Sequence, residues 1–385
     1  MATSTPPKDQ STSGSSGRKS RRFIFAAIAI VLGLLPFVLL EVILRTVNVG
    51  DPTGYVDPFV GFGGVHPLFS LARDQQTYET TRSHRLYFGT QSFAAKKPAG
   101  MYRVFCLGGS TVRGRPYTTE TSFSRWLQVE LELRDPSRNY EVVNCGGLSY
   151  ASYRLARITE EVMAYDPDLI VLATGHNEFL EDRTYQDVKS RASNNGLVQW
   201  LYSLRMVTLA RQLRSETDLE EARDAEKTVM ENEVKARLDD ESGYASYHRD
   251  DEWRSQVVDH FGHSMRAMVQ MCSEHDVPLV LVGLGSNLRD CPPFKSELLS
   301  TLTDAQRKAW EQVFETANLH EDDARQALEF YRQAEAIDSG HALLSYRMAR
   351  CLDRLDEAEE ATKYYIRAKD TDVCPLRMLE KTYQS

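Results

Sequence analysis

Positive charge is what this chain is short of. Its 46 basic side chains are outnumbered by 55 acidic ones, for a net charge of −9, and no long basic stripe follows residue 45. A phosphate backbone is held by a basic surface, so a nucleic-acid partner is excluded. Closely paired cysteines are missing too. None of the six (Cys106, Cys145, Cys272, Cys291, Cys351 and Cys374) forms a C-x-x-C pair, which removes the usual zinc spacing. No metal and no cofactor are expected. Cys106 and Cys145 fall in predicted core strands and read as small buried hydrophobes. Cys291 and Cys374 each precede a proline, where an external location would permit a disulfide, although nothing in the sequence shows one. The first 22 residues have almost nothing to bury. They are rich in Pro, Ser, Thr and Gly and predict a disordered tail.

That tail ends in a basic cluster, Arg18-Lys19-Ser20-Arg21-Arg22. Phe23 to Leu40 then runs without a charge, and extension to Leu44 admits only Glu41. A helix of this length spans roughly 30 Å, about the hydrocarbon thickness of a bilayer, with Pro36 placed to kink it. The run is long for a signal-peptide core and no Ala-x-Ala-like site follows. Residues 23–44 are therefore expected to be a transmembrane signal anchor. The basic cluster would stay in the cytoplasm and the bulk of the chain would lie outside it, on the periplasmic side in a bacterium.

Beyond the anchor, residues 46–99 read as an irregular, aromatic-rich segment with no assigned chemistry. From 100 to 317 strands alternate with helices. Val104–Leu107, Glu141–Asn144, Asp168–Thr174 and Val277–Gly283 predict buried strands. Ser122–Arg134 predicts a helix with Phe123, Trp126, Leu127 and Leu131 on its inward face, and Ala151–Tyr165 and Trp253–His275 predict two more. This alternation predicts an α/β fold, a parallel sheet covered on both faces. Residues 182–253 interrupt it with sparse apolar positions and dense charge of both signs, which reads as a solvated helical insertion.

The segment 318–385 carries a repeat. Ala327, Tyr331, Ala334 and Asp338 recur as Ala361, Tyr365, Ala368 and Asp372, each offset by 34 residues. A period of 34 with small residues at helix crossings resembles the tetratricopeptide repeat. About one and a half units match, so these helices are expected to pack on the sheet domain or on a protein partner.

Three short blocks each follow a predicted strand: Gly108-Gly109-Ser110-Thr111, Val143-Asn144-Cys145-Gly146-Gly147-Leu148-Ser149-Tyr150-Ala151-Ser152 and Gly175-His176-Asn177-Glu178. In a parallel sheet they meet at one edge, where such folds place their ligands. The constellation resembles the SGNH, or GDSL-like, hydrolase family. The resemblance implies a flavodoxin-like three-layer sandwich and hydrolysis or transfer of esters on lipids, polysaccharides or small acyl groups. It implies Ser110 as nucleophile, although the usual Asp-Ser-Leu is here Gly-Ser-Thr. It implies the Asn177 side-chain amide as an oxyanion donor. The last glycine of the family's Asn-x-Gly-x-x-Gly is here Ser149, whose backbone N–H can still serve. Gly109, Gly146, Gly175 and His176 are the neighbouring binding positions. Such a set suits acyl transfer, because prealigned N–H donors stabilise the charge that builds on the carbonyl oxygen.

A serine nucleophile also needs a histidine oriented by a carboxylate. The family carries this as an Asp-x-x-His block after its last strand. The one such match here, Asp338-Ser339-Gly340-His341, falls in a turn of the repeat and reads as a coincidence, since Asp372 is the repeat equivalent of Asp338. His176 reads as a neighbour of the site, and His260 and His263 as surface or packing residues. Cys374–Ser385 looks like the opening of another helix, after which a strand and an Asp-x-x-His block would be expected. The expected function is thus a membrane-anchored ester hydrolase whose base is missing from these 385 residues. The alternatives are a non-catalytic interaction protein built on the repeat, and an O-acyltransferase acting on a surface polysaccharide.

Overall fold

The computed structural model describes residues 33, 35–44, 46, 64–181, 229–230, 234, 236–239 and 243–383. The chain divides into two units, Met1–Thr53 with Asn194–Ala225, and Gly54–Ser193 with Glu226–Ser385. In the first, residues 35–44 are helical. Half of the expected anchor and most of the insertion at 182–253 lie outside the described residues. Among the described residues no helix is long and apolar enough to cross a membrane.

The second unit carries the sheet and the site. Its strands in chain order are β1 (Gly64–Val65), β2 (Phe69–Leu71), β3 (Thr77–Thr80), β4 (Ser92–Ala94), β5 (Met101–Gly108), β6 (Asn139–Gly146), β7 (Leu169–Ala173), β8 (Val229–Met230) and β9 (Leu279–Leu281). The α-helices are α1 (Ser110–Arg113), α2 (Phe123–Arg134), α3 (Ser152–Val162), α4 (Asp251–Glu274), α5 (Asp304–Leu319), α6 (Ala324–Ile337), α7 (Ala342–Arg354) and α8 (Ala358–Asp370). The main sheet is fully parallel in the order β6-β5-β7-β9. The chain enters at β5, steps outward to β6, then crosses back to β7 on the other side. That reversal makes the carboxyl ends of β5 and β7 the switch point of the sheet, where α/β folds open a crevice.

Strand periodicity sorts the core into two layers. Val104 and Cys106 of β5 share one face with Val171 and Ala173 of β7, beneath Leu127 and Leu131 of α2. Phe105 and Leu107 share the other with Cys145, Ile170 and Leu172, beneath Leu155 and Ile158 of α3 and Met268 of α4. Burying each large side chain contributes about 1.5–3 kcal/mol, so a strand apolar on both faces belongs in the centre. At the far end of the sheet from the site, Arg103 is fully buried. Its guanidinium donates to Glu141, to the Tyr165 carbonyl and to the Ala94 carbonyl.

Four expectations are corrected. On α2, Phe123 and Trp126 are exposed at 38% and 62%, while Ser124 is buried. The inward face runs Ser124, Leu127, Leu131 because the Ser124 hydroxyl accepts from Asn144 at 2.7 Å, and this rotates the helix off its most apolar stripe. The last strand is shorter than Val277–Gly283 and lies at the edge, with Val280 and Leu281 about half exposed. Residues 46–99 are not wholly irregular. β2, β3 and β4 form an antiparallel sheet, and Phe69 and Phe93, in edge-on contact at 4.9 Å, join the main core. The Glu161 carboxylate of α3 accepts from the N–H groups of Leu68 and Phe69 at 2.7 and 2.9 Å and pins this sheet down. Cys374–Ser385 is read as a helix opening, but among its described residues, 374–383, the only helical element is a short 3-10 turn at Glu380–Tyr383.

The C-terminal region is helical, and its repeat residues do equivalent work. All four members of each set are buried. The Tyr331 hydroxyl donates to Asn318 and the Tyr365 hydroxyl to Asp353, both at 2.7 Å. Asp338 accepts from the Leu299 N–H at 2.9 Å. Asp372 accepts from the N–H groups of Phe294 and Lys295 at 2.8 and 3.0 Å. The two aspartates therefore stitch one irregular segment, between β9 and α5, to the helical array.

Candidate active site

Ser110 opens α1, a single turn that leaves β5 directly. Gly109 between them is extended (φ −83°, ψ −157°), and Gly114 closes the turn at φ 109°, its N–H donating to the carbonyls of Ser110 and Thr111. Ser110 is half-buried. Among the described residues its hydroxyl makes no hydrogen bond, and its N–H, at the first helical position, has no acceptor within the helix.

The three blocks leave the sheet at one level. Gly108 lies opposite Gly146 on one side and Ala173 on the other, and the Gly147 N–H donates to the Gly108 carbonyl at 2.9 Å. Asn144 locks the first two blocks together. Its buried amide donates to the Val112 carbonyl at 2.7 Å, and its oxygen accepts from the Gly146 N–H at 2.9 Å. At Gly146 a Cβ would stand 2.2 Å from the Arg113 nitrogen, so that glycine is where α1 rests on β6. Ser149 has φ 61°, the left-handed region that glycine occupies most readily. The backbone here keeps a glycine-like conformation even though the residue is serine.

Asn177 donates Nδ2 to the Tyr150 carbonyl at 2.9 Å. A primary amide has a second N–H, which is left for a ligand. Gly109 makes room for it, because a Cβ there would sit 2.4 Å from Nδ2. A cavity of about 20 Å³, close to the size of one water, is lined by Gly109, Ser110, Thr111, Gly175, His176 and Asn177. Five of the seven positions singled out in the sequence thus share one crevice. Gly146 and Ser149 do not line it, and Ser149 is tied to it through its neighbour Tyr150.

His176 accepts at Nδ1 from the Met378 N–H at 3.0 Å. The proton of the neutral ring is therefore on Nε2, which makes this imidazole a donor and not a base. Burial, and then the charge of Lys369, hold its pKa below the ordinary value. Glu178, the next acid in the block, is fully buried. It accepts from the Ser152 N–H at 3.0 Å and the Ser152 hydroxyl at 2.7 Å, and burial raises its pKa. Consecutive residues Asn177 and Glu178 thus hold the second block at Tyr150 and Ser152. The sequence offered the acid after the asparagine but not its partner.

The Asp-x-x-His match serves the repeat. Asp338 binds Arg249 through both oxygens at 2.8 and 3.0 Å. His341 caps α7, accepting from the Leu344 N–H at 3.3 Å, and packs on Trp310 at 4.5 Å. His260 is buried and stacks on Tyr153. Among the described residues no group of His, Cys, Asp and Glu could hold a metal ion.

No protein-family model matches the chain, and no curated protein matches it. Among solved structures it is similar to AlinE4, an SGNH-hydrolase family esterase, at 12% identity and a TM-score of 0.21, over 48% of this chain and 77% of that one. It is also similar to a lipase/acylhydrolase from Enterococcus faecalis at 18% identity and a TM-score of 0.20, over 46% and 75% of the two chains. At such TM-scores the likeness assigns no activity to this chain, and the functional reading rests on the geometry of Ser110 and Asn177.

Proposed function

We propose that this chain is an SGNH-type hydrolase that cleaves an ester through a Ser110 acyl-enzyme, held outside the cytoplasm by an anchor at residues 23–44. The observation that carries the reading is the shared crevice at the switch point, where Gly109 lets the Asn177 amide stand beside Ser110. In the reaction Ser110 Oγ attacks the carbonyl carbon, and its proton passes to a base. The oxyanion takes hydrogen bonds from the Ser110 N–H and the Asn177 amide, which line the crevice, and the reading brings in the Ser149 N–H from the adjoining loop as a third donor. Collapse expels the alcohol, and water then releases the acid. Among the described residues no histidine is bonded to the Ser110 hydroxyl, so the reading requires the base to come from outside them. The test is hydrolysis of p-nitrophenyl acetate by the full-length protein. Activity is expected, with loss of about 10⁴-fold or more in Ser110→Ala. No serine-dependent turnover would overturn the reading.

A non-catalytic reading is favoured by the same lack of a base beside Ser110. In it the tetratricopeptide-like segment 318–385, with helices α6–α8, docks a protein partner. Partner capture that survives Ser110→Ala but is lost on deletion of 318–385 would support it.

A further inference from the structure

Beside the Ser110 turn lies a larger pocket, of about 340 Å³, into which Arg85, Arg113 and Arg115 all reach. We propose that this pocket binds an oxyanion, a carboxylate or a phosphate, carried by the ester substrate. The proposal rests on the reading of Ser110 as nucleophile and adds to it the charge class of the substrate.

The observation behind it is a cluster of three arginines, two of them without an acid partner among the described residues, in a chain of net charge −9. Arg113 ends the turn that Ser110 begins, three residues on, so it lies about one helical turn from the nucleophile. Its Nε is buried and has no hydrogen-bond partner, and its Nη2 makes only a 3.4 Å contact with the Phe88 carbonyl. Burial first, and then the charge of Arg115, lower its pKa. Among the described residues neither Arg113 nor Arg115 has a carboxylate within ion-pair distance. A buried guanidinium donor left unsatisfied in this way is unfavourable until a ligand accepts from it. Glu120 lines the same pocket. Its pKa is lowered by the Thr118 hydroxyl and its own N–H and not by an arginine. Arg85 donates Nε to the Thr80 carbonyl at 3.1 Å and touches Glu79 only through one exposed 3.4 Å pair.

The pocket also adjoins the oxyanion loop. Phe88 in its wall meets Tyr150 edge-on at 4.7 Å, and the Leu148 N–H donates to the Tyr87 carbonyl at 3.0 Å. The wall of the arginine pocket therefore abuts the loop that carries Ser149. Planar guanidinium forks suit carboxylate and phosphate oxygens, and the volume is that of a small ligand site.

Two measurements on the full-length protein separate this proposal from the one it rests on. Calorimetric titration with succinate and with inorganic phosphate needs no catalysis and tells the two anions apart. At least one is expected to bind, about 10–100-fold more weakly in Arg113→Gln and in the exposed-site variant Arg115→Ala, with circular dichroism confirming the fold of both. The second measurement is the kcat/KM ratio for p-nitrophenyl hydrogen succinate over p-nitrophenyl acetate. Both substitutions are expected to lower that ratio through KM by a similar factor, and Arg113→Lys, which keeps charge but not the fork, by less. Anion binding with no turnover of either ester would leave the pocket and remove the hydrolase. Turnover of both esters, with neither binding nor the ratio changed by Arg113→Gln and Arg115→Ala, would overturn the pocket.

Discussion

The N–H of Met378 donates to Nδ1 of His176 at 3.0 Å across 202 residues of sequence. This bond brings the segment that follows α8 against the end of β7, where Gly175 (φ 134°) would place a Cβ only 2.6 Å from the Met378 sulfur. The Tyr383 hydroxyl reaches the Leu284 carbonyl next to it, and Leu284 lines the Ser110 crevice. The tail of the helical region is thus part of the surroundings of the site.

Gly109→Ala isolates the oxyanion donor. The backbone at 109 is acceptable to alanine, so the substitution acts through its Cβ, which meets Asn177 Nδ2 at 2.4 Å. The amide must move from its place beside Ser110. A fall of about 10²–10³ in kcat is expected, with a thermal midpoint lowered far less than a core substitution would lower it. Unchanged ester turnover in a folded Gly109→Ala protein would contradict the assignment of Asn177.

Acid should weaken the fold through its buried imidazoles. Burial, with a further push from His66, lowers His84 to about 4, and burial, with Arg249, lowers His341 to about 4 against the opposing pull of Asp338. His176 is lowered in the same direction. Between pH 6.5 and 4 the unfolded chain takes up protons that the folded chain refuses. Stability contributed by each ring is present above pH 6.5 and falls with pH across that window, by at most about 1.4 kcal/mol per pH unit. Buried carboxyls with raised pKa, Glu178 and Asp372, work in the opposite direction. A variant is therefore needed to separate the two effects. His341→Asn keeps a capping acceptor and should show a shallower loss of urea midpoint between pH 7 and pH 5 than the wild type. Equal slopes would rule out a neutral buried His341.

The repeat aspartates should be interchangeable in effect. Asp338→Ala removes the carboxylate that pairs with Arg249 and accepts from the Leu299 N–H, and Asp372→Ala removes the one that pairs with Arg377 and accepts from the N–H groups of Phe294 and Lys295. Each should cost about 2–4 kcal/mol and open the stretch 286–303 to limited proteolysis. Destabilisation without new cleavage there would mean that the aspartates hold their own helices and not the segment between β9 and α5. Their titration should differ. Burial pushes Asp338 up, but Arg249 and two backbone donors outweigh it, so its pKa lies below the ordinary value, whereas burial wins at Asp372 and its pKa lies above.

The four parallel strands were legible because each is a short apolar run bounded by turn residues, and the 34-residue repeat because its members share one spacing. What was hard to read follows from the length and polarity of the elements. β2, β3 and β4 have three or four residues each, too few for alternation to register. On α2 the hydrophobic stripe pointed to Phe123 and Trp126, yet the hydrogen bonds of Ser122 and Ser124 to Asn144 set the rotation. Hydrophobic patterning does not see a polar side chain that is satisfied only after folding.

The sequence alone determined the alternation of strand and helix, the glycine turns that follow β5, β6 and β7, and the candidate serine and asparagine, because each depends on local patterning and backbone freedom. The tertiary structure decided the rest. It set the strand order that levels Gly108 with Gly146 and Ala173 and placed Glu178 on Ser152. Among the described residues it left Arg113 and Arg115 without an acid at ion-pair distance. It turned Asp338 and His341 away from catalysis and into clamps of the helical array. These are relations between groups far apart in the chain, and burial and hydrogen bonding fix them only once the sheet has closed around them.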